Sequence, residues 1–139
     1  MKIVNKTLKI RMPGSTSLNT SGNSSGESLQ KELTAGESIS ALRVVKGAAD
    51  GKVLINTGGH NLALGLSLNS AVLDGDITVL TEGYLQEATW AWDTTKPIFF
   101  DSLGQLTQTA PISGFAQVVA SPLSTTEIIF NIQQSIKIN

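Results

Sequence analysis

The chain has 139 residues, of which 40% are hydrophobic, 15% charged and none cysteine, with a formal net charge of −1. That length suits one domain of ordinary size whose core needs no metal or disulfide staple, and the missing cysteines exclude thiol catalysis, thiolate metal sites and a disulfide scaffold. Charge falls well below the ~25% of typical domains; Ser, Thr, Asn, Gln and Gly take its place, as in proteins packed against copies of themselves, a neutral polar monomer being the plainer alternative.

The near-zero net charge conceals an asymmetry. Residues 1–46 carry seven Lys/Arg and three Asp/Glu, whereas residues 47–139 carry three and eight. The halves attract each other or meet partners of opposite sign, and nucleic acid is not expected as a direct partner. No run of about 18 apolar residues is present to span a membrane. Met1-Lys2-Ile3-Val4-Asn5-Lys6 is interrupted by charge too early for a signal peptide, so the chain is expected to be made in a cytoplasm.

Lys2 to Met12 alternates loosely, with Val4, Leu8, Ile10 and Met12 on one side and Lys9 and Arg11 opposite: an extended, basic segment. Pro13-Gly14 stops it, and Ser15 to Ser28 is nearly all Ser, Thr, Asn and Gly, a composition that reads as a linker. Leu29 to Leu33 reads as a turn of helix or an irregular bridge. Ser38 to Lys46 reads as a strand, and Gly47-Ala48-Ala49-Asp50-Gly51 as the turn into its hairpin partner, Lys52 to Asn56.

Leu62, Leu64, Leu66 and Leu68 alternate with small or polar residues, which predicts a core strand with four leucines on one face. Asp74-Gly75 predicts a turn, Ile77 to Leu80 a strand, and Glu82-Gly83 another turn leading to Tyr84 and Leu85. Trp90 and Trp92 fall on one face at i and i+2. Ile98-Phe99-Phe100, a turn over Asp101 to Gly104, and Leu106-Thr107 follow. Phe115 to Ala120, Glu127 to Ile132, and Ile136 with Ile138 complete the strands. Turn signals about every ten residues predict an all-β antiparallel sandwich or barrel with an extended N-terminal arm, not βαβ units. The arm and linker take residues 1–34 and the module 35–139. All seven aromatic residues lie at or after Tyr84, so the core is expected to be weighted toward the C-terminal portion.

The candidate chemical motifs have structural explanations. Gly22-Asn23-Ser24-Ser25-Gly26 matches G-x-S-x-G in form but sits in the linker, without the strand-to-helix turn the nucleophile requires. Gly47 to Val53 is one residue short of a phosphate loop and has Val53 where a hydroxyl must meet magnesium. His60 is the sole histidine, without an evident orienting carboxylate or second ligand. Asp74 and Asp76 lack the remainder of a calcium loop. No catalytic, cofactor-binding or metal-binding residue is therefore expected, and no enzyme. Tyr84, Trp90 and Trp92 offer either a sugar-stacking platform or, as large apolar fillers, core or subunit packing. Lys2, Lys6, Lys9 and Arg11, with no acidic residue among the first 26, form the sharpest electrostatic feature: a strand able to join a neighbour's sheet edge, or the first strand of its own domain.

The order Gly83-Tyr84-Leu85, Trp90-Ala91-Trp92-Asp93, Pro97-Ile98-Phe99-Phe100, Gly104-Gln105-Leu106-Thr107, Pro111, Gly114-Phe115-Ala116-Gln117-Val118-Val119-Ala120 and Ser124 to Phe130 resembles a β module of tailed-bacteriophage virion proteins. The likeness covers about residues 62–137, with Ala120 where that pattern has Gly. The resemblance implies capsid decoration (cement) proteins, head fibres and tail-fibre segments, commonly trimeric, with no enzymatic site. The expectation is thus a capsid decoration protein that trimerises and bridges capsid subunits, with a head- or tail-fibre attachment protein or a carbohydrate-binding module as alternatives. Its partners are the major capsid or another virion protein and copies of itself, and its place is the virion. Lys2, Lys6, Lys9 and Arg11 are assigned to contact with the capsid or a neighbour, and Tyr84, Trp90, Trp92, Phe99 and Phe115 to trimer or core packing.

Overall fold

The structure, a computed structural model, describes residues 28–58 and 62–138, and every regular element among them is a β-strand. In chain order these are β1 (Leu29–Thr34), β2 (Val44–Gly47), β3 (Val53–Ile55), β4 (Gly65–Ser67), β5 (Asp76–Gln86), β6 (Phe99–Phe100), β7 (Leu106–Thr107), β8 (Phe115–Ala116), β9 (Ala120–Pro122), β10 (Glu127–Asn131) and β11 (Ile136–Lys137). One antiparallel sheet runs β3-β2-β4-β5-β10-β9, with β1 also paired to β5; β6–β7 and β8–β11 are separate ribbons. The all-β reading holds, and the sheet curls into a half-barrel.

β5 organises the sheet. Its Val79 and Leu80 have partners on both sides, Lys31 and Gln30 of β1 and Ser67 and Leu66 of β4. Further along, Glu82 to Gln86 pair with β10. Between these stretches the register slips, Gln30 facing Leu80 but Leu29 facing Glu82. Such a bulge shifts the alternation by one residue, so Ile77 and Val79 point into one core, while Gly83 and Leu85 later turn toward the other. Gly83, at φ 141°, carries the strand through what the sequence reads as a turn at Glu82-Gly83.

The curl nearly closes. Leaving β1, Ala35 forms a parallel bridge with Val53 of β3, and the Gly36 N–H donates to the Val53 carbonyl at 2.7 Å. The alternating directions of β1, β5, β4, β2 and β3 make β1 and β3 co-directional, hence the parallel contact. Inside this curl lie Ala35, Ile39, Val45, Val53, Ile77 and Val79. A second core holds Val44, Leu66, Leu80, Ile98, Val119, Ala120, Ile128 and Phe130. Neighbours Val44 and Val45, like Val79 and Leu80, thus serve opposite faces of a sheet buried on both sides, which requires consecutive apolar residues rather than alternation.

Several expectations change. Leu29 to Leu33 is part of strand β1, paired with β5, and neither a turn of helix nor an irregular bridge. Ser38 to Lys46 is strand only from Val44, because Leu42 adopts φ 63° and breaks the extended run. Of the four leucines only Leu66 is fully buried; Leu62 is 70% exposed and Leu64 38%. Residue pairing with β2 stops at Gly65, and the last contact is the Leu64 N–H, which donates to the Val45 carbonyl at 2.8 Å. Phe115 to Ala120 splits into β8 and β9 around Gln117, whose buried amide donates to the Gln133 carbonyl at 2.8 Å. The core is not weighted to the C-terminal portion either, since the inner cluster lies wholly between Ala35 and Val79 and contains no aromatic ring. The β2–β3 and β6–β7 hairpins and the β10 strand fall where the sequence places them.

Candidate interaction site

β1 lies along β5 on one side; on the other it meets β3 at its C-terminal end, through the Ala35–Val53 bridge, and no further strand among the described residues. The Ala35 N–H donates to the Gly75 carbonyl at 2.9 Å. Counting back by the strand period of two, Leu33 and Lys31 also turn their amides toward β5, while Gln30, Glu32 and Thr34 turn theirs outward. β1 and β5 together carry three exposed carboxylates, Glu32, Asp76 and Glu82, against one exposed lysine, Lys31. Lys2, Lys6, Lys9 and Arg11 lie outside the described residues, as do Gly22 to Gly26 and His60.

The five aromatic residues expected in packing do not form one patch. Phe99 is a core residue at 9% exposure, beside the fully buried Ile98 that bridges to Ala120. Trp90 and Trp92 sit half-buried against the outer core cluster, their ring centres 5.5 Å apart and tilted by 53°. The Trp92 backbone N–H donates to the Thr125 carbonyl at 2.9 Å, while its buried indole N–H has no partner among the described residues. Tyr84, partly exposed on β5, sits opposite Ile129, and its hydroxyl donates to the Glu127 carboxylate. Ser124 Oγ donates to the same carboxylate at 2.8 Å.

These hydrogen bonds to its charged form, Tyr84's first, hold the Glu127 carboxyl below its ordinary value. The bond to Glu127 is also the main cause that raises the Tyr84 hydroxyl, burial and the neighbouring charge adding to it. A lowered acid contributes stability above its unfolded pKa and loses it as pH falls through the folded one. A raised phenol contributes below its unfolded pKa and loses it as pH rises through the folded one. Tyr84→Phe is therefore expected to lower the midpoint of thermal unfolding slightly at neutral pH and not at all once Glu127 is protonated. Calorimetry from acid to neutral pH checks this, and a deficit that persists unchanged in acid contradicts it.

A groove of about 670 Å³ opens at the other end of the outer core, lined by Phe100, Asp101, Thr107, Pro111, Ile112 and Phe115 among others. Ile112 is 94% exposed on its rim. Asp101 shapes one wall, its Oδ1 accepting the N–H groups of Leu103 at 2.8 Å and Gln105 at 3.0 Å. Phe115, expected in packing, belongs here. The sequence reading missed this groove; Pro111 followed by an apolar Ile112 in a polar loop was its one signal.

The remaining motifs resolve locally. Gly47 to Val53 is the β2–β3 turn, with Ala48 N–H bonded to the Lys52 carbonyl at 2.8 Å and Gly51 at φ 86°. Lys52 reaches instead to Asp74, at 2.6 Å, which raises its ammonium pKa, hydrogen bond first and charge second. Among the described residues no three His, Asp or Glu side chains gather closely enough to hold a metal ion, and no helix is long and apolar enough to cross a membrane. No protein-family model and no curated protein sequence matches the chain.

Proposed function

We propose that the chain is a structural protein of a tailed-bacteriophage particle, a capsid decoration (cement) protein that trimerises and stabilises the head by bridging capsid subunits. The observation that carries the reading is the distribution of apolar surface on an all-β module of the kind the resemblance implies. Leu29, Leu62, Val72, Leu73, Leu103, Ile112, Leu123 and Ile136 are each more than half exposed, although the chain has the two buried cores that could have taken such residues. Two places among these support contact with a partner: the adjacent Val72-Leu73, and Ile112 on the rim of the groove. With 15% charged residues, the chain as a whole carries little charge to oppose association with a similar surface.

In this reading the module supplies the subunit contacts and Lys2, Lys6, Lys9 and Arg11 reach a neighbour or the major capsid protein. Shared area across capsomer joints opposes the pressure of packaged DNA. Trp90 and Trp92 are half-buried against the outer core, which reduces the indole face open to a sugar ring and weighs against the carbohydrate-binding alternative.

Deleting residues 1–27 is expected to leave β-sheet circular dichroism intact, because both cores lie within Ala35 to Phe130, and to abolish capture by undecorated capsids. A pull-down checks it; undiminished capture by the shortened chain contradicts the arm's role.

A further inference from the structure

We propose that the outer edge of β1 is the docking site for the Lys2–Met12 segment of a second copy, which adds there as a further strand. The edge is open over Gln30 and Glu32, which direct their amides away from β5 toward no strand among the described residues; at Thr34 it closes against β3 through the adjoining Ala35–Val53 bridge. An unpaired edge of this kind is a template for another chain. Of the devices that blunt an edge, β1 contains no proline and its register slip falls at its first residue; it does carry two charges, Lys31 and Glu32.

The side chains fit the occupant as well as the backbone does. By alternation, Leu29, Lys31 and Leu33 share one face of β1, while Gln30, Glu32 and Thr34 share the other with Asp76. Leu29 is 56% exposed. Added as an extended strand, the arm would place Leu8, Ile10 and Met12, with Lys2 and Lys6, on one side and Lys9 and Arg11 on the other. Laid along β1, it matches apolar to apolar on the first face and basic to acidic on the second, the cross-strand pairs that stabilise a sheet. On that second face the arm's Lys9 and Arg11 meet Glu32 and Asp76, with no lysine of β1 on the same face. Attraction at that range sets orientation and register more than affinity.

Connection length favours a second copy over the chain's own arm. Ser15 to Ser28 is fourteen residues, far beyond the roughly 2–5 of a hairpin loop, and extended it reaches about 46 Å at about 3.3 Å per residue. That reach suits a strand handed to a neighbour. The inference rests on the assembly role proposed above for its purpose alone, since the docking is scored without particles.

The chain has no cysteine, so introduced thiols report cleanly. Full-length Lys31→Cys chains are mixed with Leu8→Cys, Ile10→Cys or Met12→Cys chains and oxidised, and mixed disulfides are quantified by peptide mass spectrometry. A mixed disulfide is expected in at least one pairing. It should fall about tenfold, equivalent to ~1.4 kcal/mol, when Lys2, Lys6, Lys9 and Arg11 are all changed to Gln. Yields no higher than with Ala49→Cys in the β2–β3 turn overturn the proposal. So does a double variant of Lys31→Cys and Ile10→Cys that bridges only within one chain. Circular dichroism of each variant establishes that it folds. Failure of capsid capture with the mixed disulfide intact counts against the virion role and not against this docking.

Discussion

Phe130→Ala is expected to lower the unfolding free energy by about 3–5 kcal/mol, as complete removal of a buried aromatic ring does. Phe130 is among the largest fully buried side chains and sits centrally on β10, opposite Gly83 of β5 and Ala120 of β9. Its cluster draws on Val44, Leu66, Leu80, Ile98, Val119 and Ile128, so the cavity would open where the sheet and the C-terminal segments meet. Against a total of about 5–15 kcal/mol for a domain, the variant should be close to unfolding at moderate temperature. Phe130→Leu, nearer in volume, should lose less. Equilibrium urea denaturation checks both, and an alanine variant that loses under about 1 kcal/mol, the centre of ordinary point-mutant effects, would mean this face is not the main core.

Gly65→Ala should be the most damaging change of a single methyl group. A Cβ at Gly65 would stand 2.4 Å from Val79 Cγ1 and 2.5 Å from the Leu80 carbonyl oxygen. The side chain could rotate, but the carbonyl belongs to the central strand. β4 and β5 would have to separate, disturbing the Leu66–Leu80 and Ser67–Val79 pairs. Overpacking of this kind costs about 1–3 kcal/mol and occasionally more. Gly47→Ala is the matched control, since nothing lies within 4 Å of a Cβ there; it should stay within about 0.5 kcal/mol of the parent. Equal denaturation midpoints for the two variants would contradict the close approach of β4 to β5.

The β class was legible because its signals are local. Asp101 to Gly104 and Gly47 to Gly51 carry turn chemistry that fixes two hairpins whatever surrounds them, and Ile128 with Phe130 alternates into a core as drawn. What depends on distant partners was not legible. The leucine alternation from Leu62 to Leu68 promised a strand over its whole length, yet pairing partners exist only for Leu66 and its neighbours. Glu82-Gly83 has the composition of a turn, but pairing with Asn131 and Phe130 on β10 keeps it in a strand. Leu29 to Thr34 has little strand pattern of its own and becomes one because β5 offers it an edge. The candidate surfaces follow the same division. Arm charge is visible in composition, whereas the acceptor edge of β1 and the groove beside Ile112 arise only when remote segments meet.

The proposed role, contact area between subunits on a phage head, requires many copies per particle. Quantitative mass spectrometry of purified particles tests it most directly, as copies of the chain per copy of the major capsid protein. The expected result is a fixed ratio comparable to the number of capsid subunits. A few copies per particle, or none, would contradict it.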